Sequence, residues 1–158
     1  MEKKESIIKY YKKQSGFYDL TRPAFLFGRG EIVRWIAESN DRGTLLEIGC
    51  GTGHILKSLA RSTDCKLTGI DLSPDMLEIA KRKLPPEIDL QRTDLEDFNP
   101  VEKYDTLLLS YVFTLDFANN EEHIKKVKQL LKPDGRIFIV DFHKYGSALY
   151  KRYMNWHG

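Results

Sequence analysis

Leu45-Leu-Glu-Ile-Gly-Cys-Gly-Thr-Gly53 decides the fold. An apolar strand, Thr44 to Ile48, runs straight into Gly49, Gly51 and Gly53. A helical pattern follows, with Ile55, Leu56, Leu59 and Ala60 at helical spacing. Glycines at alternate positions let the backbone turn sharply and let a ligand lie against bare peptide. The loop then delivers that ligand to a helix N-terminus. Spacing narrows the choice of ligand. Dinucleotide loops read G-x-G-x-x-G and set a pyrophosphate on the helix. Here the third glycine comes one residue early and position 54 is His. A ligand without phosphate does not need the longer approach.

Outward from this stretch, strands and helices alternate. The patterning predicts helices over 5–14 and 30–38, the first strand over 44–48 and its helix over 53–61. A second strand spans 66–70. Ser73-Pro74 reads as an N-cap and first helical position, with Asp75 in the first turn. That helix runs to about Lys83 and stops before Pro85-Pro86. Strands follow at 88–92 and 104–110, the latter apolar as a central parallel strand should be. A helix over 121–131, a Pro133-Asp134-Gly135 turn, a strand over 136–141 and a helix over 147–156 complete the reading. Such alternation implies an α/β fold, a doubly wound parallel sheet with helices on both faces. Residues 1–43 read as an N-terminal helical lid and 44–158 as the core of a single domain.

Lys66-Leu-Thr-Gly-Ile-Asp71 is a short apolar strand ending in an acid, 22 residues after Gly49. An acid there accepts both hydroxyls of a ribose. S-adenosylmethionine joins adenosine to a sulfonium and an amino-acid tail, and so fits a ribose acid beside a loop too short for pyrophosphate. At this point the chain resembles the class I S-adenosylmethionine-dependent methyltransferases. The resemblance rests on LLEIGCGTG, TGIDLSPDML, RTDLEDF, YDTLLLSYVF and LLKPDGRIFIVDF, in the family's order, over about residues 44 to 142. It implies the Rossmann-like methyltransferase fold, S-adenosyl-L-methionine as cofactor, and methyl transfer to a small-molecule or lipid head-group acceptor.

The resemblance also implies a site. Gly49, Cys50, Gly51 and Gly53 line the loop beneath the ligand's methionine and ribose parts. Glu47 either organises the loop and the ligand's amino group or caps local amides. Asp71 takes the ribose hydroxyls, or else caps the following helix. Leu72 and Met76 pack on the adenine, although a plain core role is open to Met76. Asp94 accepts from the adenine amine with Leu95 offering its amide, or else is a turn acid. Ser110 and Tyr111 approach the sulfonium from the acceptor side. Methyl transfer asks mainly for alignment, and a general base is needed only for a protonated acceptor. Tyr111, Asp141 and His143, near the ends of the fourth and fifth strands, are the catalytic candidates.

The segment from Tyr10 to Arg29 is aromatic and resembles the stretch before the glycine loop in betaine-lipid (diacylglyceryl-homoserine) N-methyltransferases, which act on an amino head group. As a lid, it would bring Tyr11, Tyr18 and Arg22 to the methionine carboxylate or surround a cation with rings. Leu149, Tyr153 and Trp156 form a second aromatic stripe, suited to a lipid surface or to packing on the sheet.

Composition sets the remaining expectations. The chain has 158 residues, enough for one real core, with a hydrophobic fraction of 41%. Net charge is +2. Residues 1–40 hold eight Lys/Arg against five Asp/Glu, and 143–158 hold three basic residues and no acid. Basic ends around an acidic middle suit an anionic acceptor or peripheral membrane contact, or are simply solvated helices. Scattered basic residues without a recognition motif argue against nucleic acid. No apolar run approaches a membrane span. Met1-Glu-Lys-Lys-Glu5 lacks a secretory core, and two cysteines make no disulfide framework, so a cytoplasmic setting is expected. The four histidines are isolated and no metal signature occurs.

The family continues with two further strands, which would start where this sequence stops; a fragment of a longer protein is expected, with a naturally short protein and an edge covered by a partner as the alternatives. Its fifth strand would then be an apolar edge, open to a second copy or a partner. Three alternatives stand beside methyl transfer: a non-catalytic S-adenosylmethionine-binding module or subunit, transfer of the aminocarboxypropyl group, and, disfavoured by loop spacing and Asp94, an NAD-dependent oxidoreductase.

Overall fold

A computed structural model describes residues 28–39, 42–112 and 121–141. The expected helices over 5–14 and 147–156 lie outside the described residues. Five strands form one sheet: β1 (Thr44–Ile48), β2 (Lys66–Asp71), β3 (Asp89–Arg92), β4 (Tyr104–Ser110) and β5 (Leu131–Val140). Their order is β3-β2-β1-β4-β5 and every pair is parallel. The chain therefore winds outward from β1 to β3, then returns to the other side of β1 with β4. Between the carboxyl ends of β1 and β4 the winding reverses, which opens a crevice there.

Alternation along the strands makes two cores. Leu45, Leu67 and Leu108 face one side of the sheet. They pack with Ile32 and Ile36 of α1 (Arg29–Glu38), Ile55, Leu56 and Leu59 of α2 (His54–Ser62), and Leu77 and Ala80 of α3 (Pro74–Lys83). Leu46, Ile48, Ile70, Leu107 and Leu109 face the other side, under Val127 and Leu130 of α4 (Glu121–Leu130). α1, assigned from sequence to a lid, shares its core with α2.

Local chemistry explains the α3 boundary. The Ser73 hydroxyl accepts from the Met76 N–H at 3.4 Å, Pro74 opens the helix, and Lys81, Arg82 and Lys83 fill its last turn against the helix dipole. β5 departs from expectation. Pairing starts at Leu131 against Tyr104 and resumes at Arg136 against Thr106. The Pro133-Asp134-Gly135 turn bulges between two paired segments of one strand instead of preceding it, since proline has no N–H to give the ladder. The strand ends at Val140, so Asp141 lies just past it. Among the described residues β5 pairs with β4 alone, and Ile137 and Ile139 are exposed. No helix among these residues is long and apolar enough to cross a membrane.

The amino ends of the strands are pinned by Asp105. Its Oδ2 accepts from the Thr44 N–H at 2.8 Å and hydroxyl at 2.9 Å, and Lys132 Nζ lies 2.8 Å away. These donors hold the carboxyl down to about 2, the Lys132 hydrogen bond contributing most. A depressed carboxylate stabilises the fold above its unfolded value near 3.8 and stops doing so as pH falls toward 2. Asp105→Ala is expected to cost about 1 kcal/mol at pH 7, allowing for solvent around a half-exposed pair. The deficit should fade below pH 3 in denaturant titrations; a constant deficit would rule out the ionic contribution.

Candidate functional site

The glycine loop closes over the end of β2. Gly49 and Cys50 N–H groups both donate to the Ile70 carbonyl, at 2.9 and 3.0 Å. The Gly51 N–H donates to Asp71 Oδ2 at 2.7 Å, and the Ser73 N–H donates to Asp71 Oδ1 at 2.8 Å. Asp71 thus ties the loop to the start of α3: the contact with Ser73 is the helix-capping alternative open to this acid, and the clamp on Gly51 is the part its sequence position did not reveal. Burial raises its carboxyl above the usual range, against the pull of those amides and the Leu72 amide. With three amides already on its two oxygens, the carboxyl keeps an acceptor direction for a further donor.

Glu47 ends the apolar run of β1 and is only 2% exposed. The Leu56 amide in the first turn of α2 hydrogen-bonds it, yet Oε2 is buried without a partner. Burial pushes this carboxyl up to about 8; Arg29 opposes the rise and Asp71 adds to it. Arg29 Nε and Ser110 Oγ are likewise buried and unpartnered. Glu47 and Ser110 stand near the carboxyl ends of the adjacent strands β1 and β4. Ser110 ends β4 beside β1, and the Arg29 guanidinium lies over the ring of the next residue, Tyr111, 5.6 Å from its centroid.

Tyr111 has φ 57, a left-handed conformation rare for a ring-bearing residue. Its N–H donates to the Val140 carbonyl at 2.8 Å, which holds the turn in place. Strain of this kind, of order 1–3 kcal/mol, gathers at functional sites. Burial raises the Tyr111 hydroxyl, Arg29 opposes this, and the nearby Asp141 reinforces it. Tyr111 and Asp141 are therefore brought together. His143, Tyr11, Tyr18 and Arg22 lie outside the described residues.

The remaining expected ligands are distributed as follows. Leu72 is half-buried just past β2, and Met76 is buried in the first turn of α3. Asp94 heads a turn: its Oδ1 accepts from the Asp97 N–H at 2.8 Å and its carbonyl from the Phe98 N–H at 3.1 Å. The Leu95 side chain belongs to the α4-side core, which leaves its backbone for a ligand. The Cys50 side chain packs in the opposite core, where burial raises its thiol, and only its peptide faces the loop.

Sequence reasoning missed Arg29 and His54. Burial lowers the His54 imidazole, helped by Arg29 and Lys57. A cation in a helix's first turn opposes the helix dipole. Arg29 after Gly28 breaks that rule, and the breach was the available signal; His54, with its imidazole lowered, is no cation and gave none.

Residues 45–135, more than half of the chain, match the family described as a methyltransferase domain. The chain belongs to that family. Its fold is the Rossmann-like fold of the S-adenosylmethionine-dependent methyltransferases. The solved complex of DhpI with SAH superposes with a TM-score of 0.75 at 24% identity, covering 87% of this chain and 68% of that one. The N-methyltransferase NodS from Bradyrhizobium japonicum, solved with S-adenosyl-L-homocysteine, gives 0.63 at 25% identity, covering 70% and 58%. A malonyl-[acyl-carrier protein] O-methyltransferase of Priestia megaterium is 32% identical over 105 residues, 65% of this methyltransferase chain and 38% of the relative. The chain spans 38% to 51% of the length of several curated relatives it matches.

Proposed function

We propose that this chain binds S-adenosylmethionine across the carboxyl ends of β1, β2 and β4 and transfers its methyl group to a small-molecule acceptor. The observation that carries the reading is three buried, unpartnered polar atoms, Glu47 Oε2 on β1, Ser110 Oγ at the end of β4 and Arg29 Nε on α1, whose guanidinium covers Tyr111 and acts on Glu47. Such groups cost free energy unless something pairs with them. An amino acid tail carries the complementary ammonium and carboxylate. Gly51 supports the fit: a Cβ there would meet nothing within 4 Å, so the loop presents bare peptide to open space. Relatives solved with S-adenosylhomocysteine support the same ligand.

In this reading Arg29 and Glu47 orient the amino acid end, and Asp71 receives a ribose hydroxyl on its remaining acceptor direction. Asp94 and the Leu95 amide face the adenine. The bound donor supplies an activated methyl group with its own leaving group. The chain's residues supply alignment. Tyr111, whose raised hydroxyl keeps its proton at neutral pH, donates a hydrogen bond to the acceptor, and Asp141 receives any proton the acceptor must lose. The acceptor we favour is an amine on a small molecule or lipid head group, supported by the aromatic character of residues 10–27 and the Arg29–Tyr111 stack.

Calorimetric titration with S-adenosylmethionine, S-adenosylhomocysteine and NAD tests the donor. Binding of the first two without the third is expected. Asp71→Ala should weaken S-adenosylhomocysteine binding by about 1–3 kcal/mol through lost charge-assisted hydrogen bonds. Unchanged affinity in a folded variant would remove Asp71 from the ribose role. Product masses from an acceptor screen then separate methyl from aminocarboxypropyl transfer.

A further inference from the structure

Glu47 presents a problem that ligand binding alone does not resolve. It is a carboxyl group in the interior, one oxygen near the Leu56 amide and the other facing no donor. Among the described residues the titratable groups facing it are few: Arg29 from α1, Asp71 from β2, and the neutral Cys50 thiol from the loop. Its sheet neighbours, Gly69 on β2 and Leu108 on β4, bring no side-chain charge. Arg29 is shared: its guanidinium covers the Tyr111 ring and it also acts on His54. One shared cation does not offset the burial of Glu47 and the second acid, Asp71.

We infer that Glu47 is neutral when no ligand lies beside it, and that a cationic amino acid ligand binds by displacing its proton. This rests on the donor reading above and adds a proton to it. The exchange balances: the O–H bond of the Glu47 carboxyl breaks, its proton passes to solvent and its electron pair stays on the carboxylate, and the ligand's ammonium becomes the group facing Oε2. No bond to carbon changes. The buried charge pair replaces a buried neutral acid, so the site changes little in net charge while its orphan acceptor gains three N–H donors nearby. The rise of this carboxyl to about 8 agrees with the geometry. Donor affinity is then tied to pH, and mild acid favours release of both donor and demethylated product.

The test is calorimetry of S-adenosylhomocysteine with the wild-type chain at pH 6.5 in two buffers of different ionisation enthalpy. Close to one proton should be released per ligand bound. Between pH 6 and 7.5 the affinity should rise by close to about tenfold per pH unit, the slope of a one-proton exchange. 5′-Methylthioadenosine, which keeps the adenosine and lacks the ammonium, should bind without proton release. Glu47→Gln should bind more weakly, with no release and no pH slope. Wild-type binding that releases no proton overturns the inference and leaves the donor reading intact. Equal release with methylthioadenosine, or release that survives in Glu47→Gln, also overturns it by assigning the proton elsewhere. Failure of S-adenosylhomocysteine to bind at any pH overturns the donor reading itself. The wild-type measurements decide the matter even if the variant does not fold.

Discussion

Glu47→Gln is expected to unfold at higher denaturant concentration than the wild type at pH 8, by about 2–4 kcal/mol. The sign follows from where the proton sits. In the unfolded chain this carboxyl loses its proton near 4.5, whereas the fold holds it up to about 8. Between those values the native state binds one proton more than the unfolded state, so stability falls as pH rises. Below about 4.5 both states are protonated and the penalty is absent; above 8 it is complete. Glutamine keeps an acceptor for the Leu56 amide and carries no charge at any pH, so its curve lacks this decline. The difference between the two chains should therefore be small at pH 5 and large at pH 8. A difference independent of pH would show that Glu47 is ionised in the fold throughout. Added S-adenosylhomocysteine should stabilise the wild type more than the variant at pH 8, because the ligand supplies the counter-charge the fold lacks. Holding an acid in this state costs stability, and a site that keeps such a cost is built around a ligand.

The framework of this site was legible in the sequence because its signals are local. An apolar run with glycines behind it reads as β1 and its loop from nine residues. Ser73-Pro74-Asp75 announces α3 through capping chemistry alone. Leu45 and Leu46 alternate between two cores, as a buried parallel strand requires. What stayed hidden depends on contacts between distant segments. Arg29 matters because α1 packs against β5 and carries its guanidinium over Tyr111, and nothing near Arg29 in the chain says so. Asp71 was legible as an acid after a strand. Its clamp on the Gly51 amide needs the loop to fold back onto the Ile70 carbonyl, which is a tertiary event. Tyr111's left-handed turn is imposed by the Val140 carbonyl, 29 residues on, and no local propensity encodes it. The bulge in β5 misled for a related reason. Pro-Asp-Gly is a strong turn signal, but only pairing with Tyr104 shows that the strand begins before it.

Alanine at Gly53 and alanine at Gly51 should fail in different ways, although both residues have positive φ. Gly53 has φ 73, and a Cβ there would lie 2.6 Å from Leu84 Cδ1 and 3.2 Å from the Ala80 Cβ. Leu84 and Ala80 belong to the core under α2 and cannot retreat without opening it. Backbone strain of about 1–2 kcal/mol and overpacking of about 1–3 kcal/mol then add. Gly53→Ala is expected to lose about 3 kcal/mol of stability. Gly51 has φ 53, but its Cβ would stand in open space. Gly51→Ala carries the strain alone, about 1 kcal/mol. Its methyl group instead occupies the face on which the ligand must lie, so S-adenosylhomocysteine affinity should fall at least about tenfold, or about 1.4 kcal/mol. Denaturant titration and calorimetry on the two variants separate the effects. Wild-type affinity in Gly51→Ala would mean that the loop does not cradle the ligand. Equal stability losses would mean that Leu84 yields and the packing under Gly53 is softer than its geometry implies. The expected split, stability at Gly53 and affinity at Gly51, would show that two glycines two residues apart serve different ends: one lets a helix approach the loop, the other lets a ligand approach it.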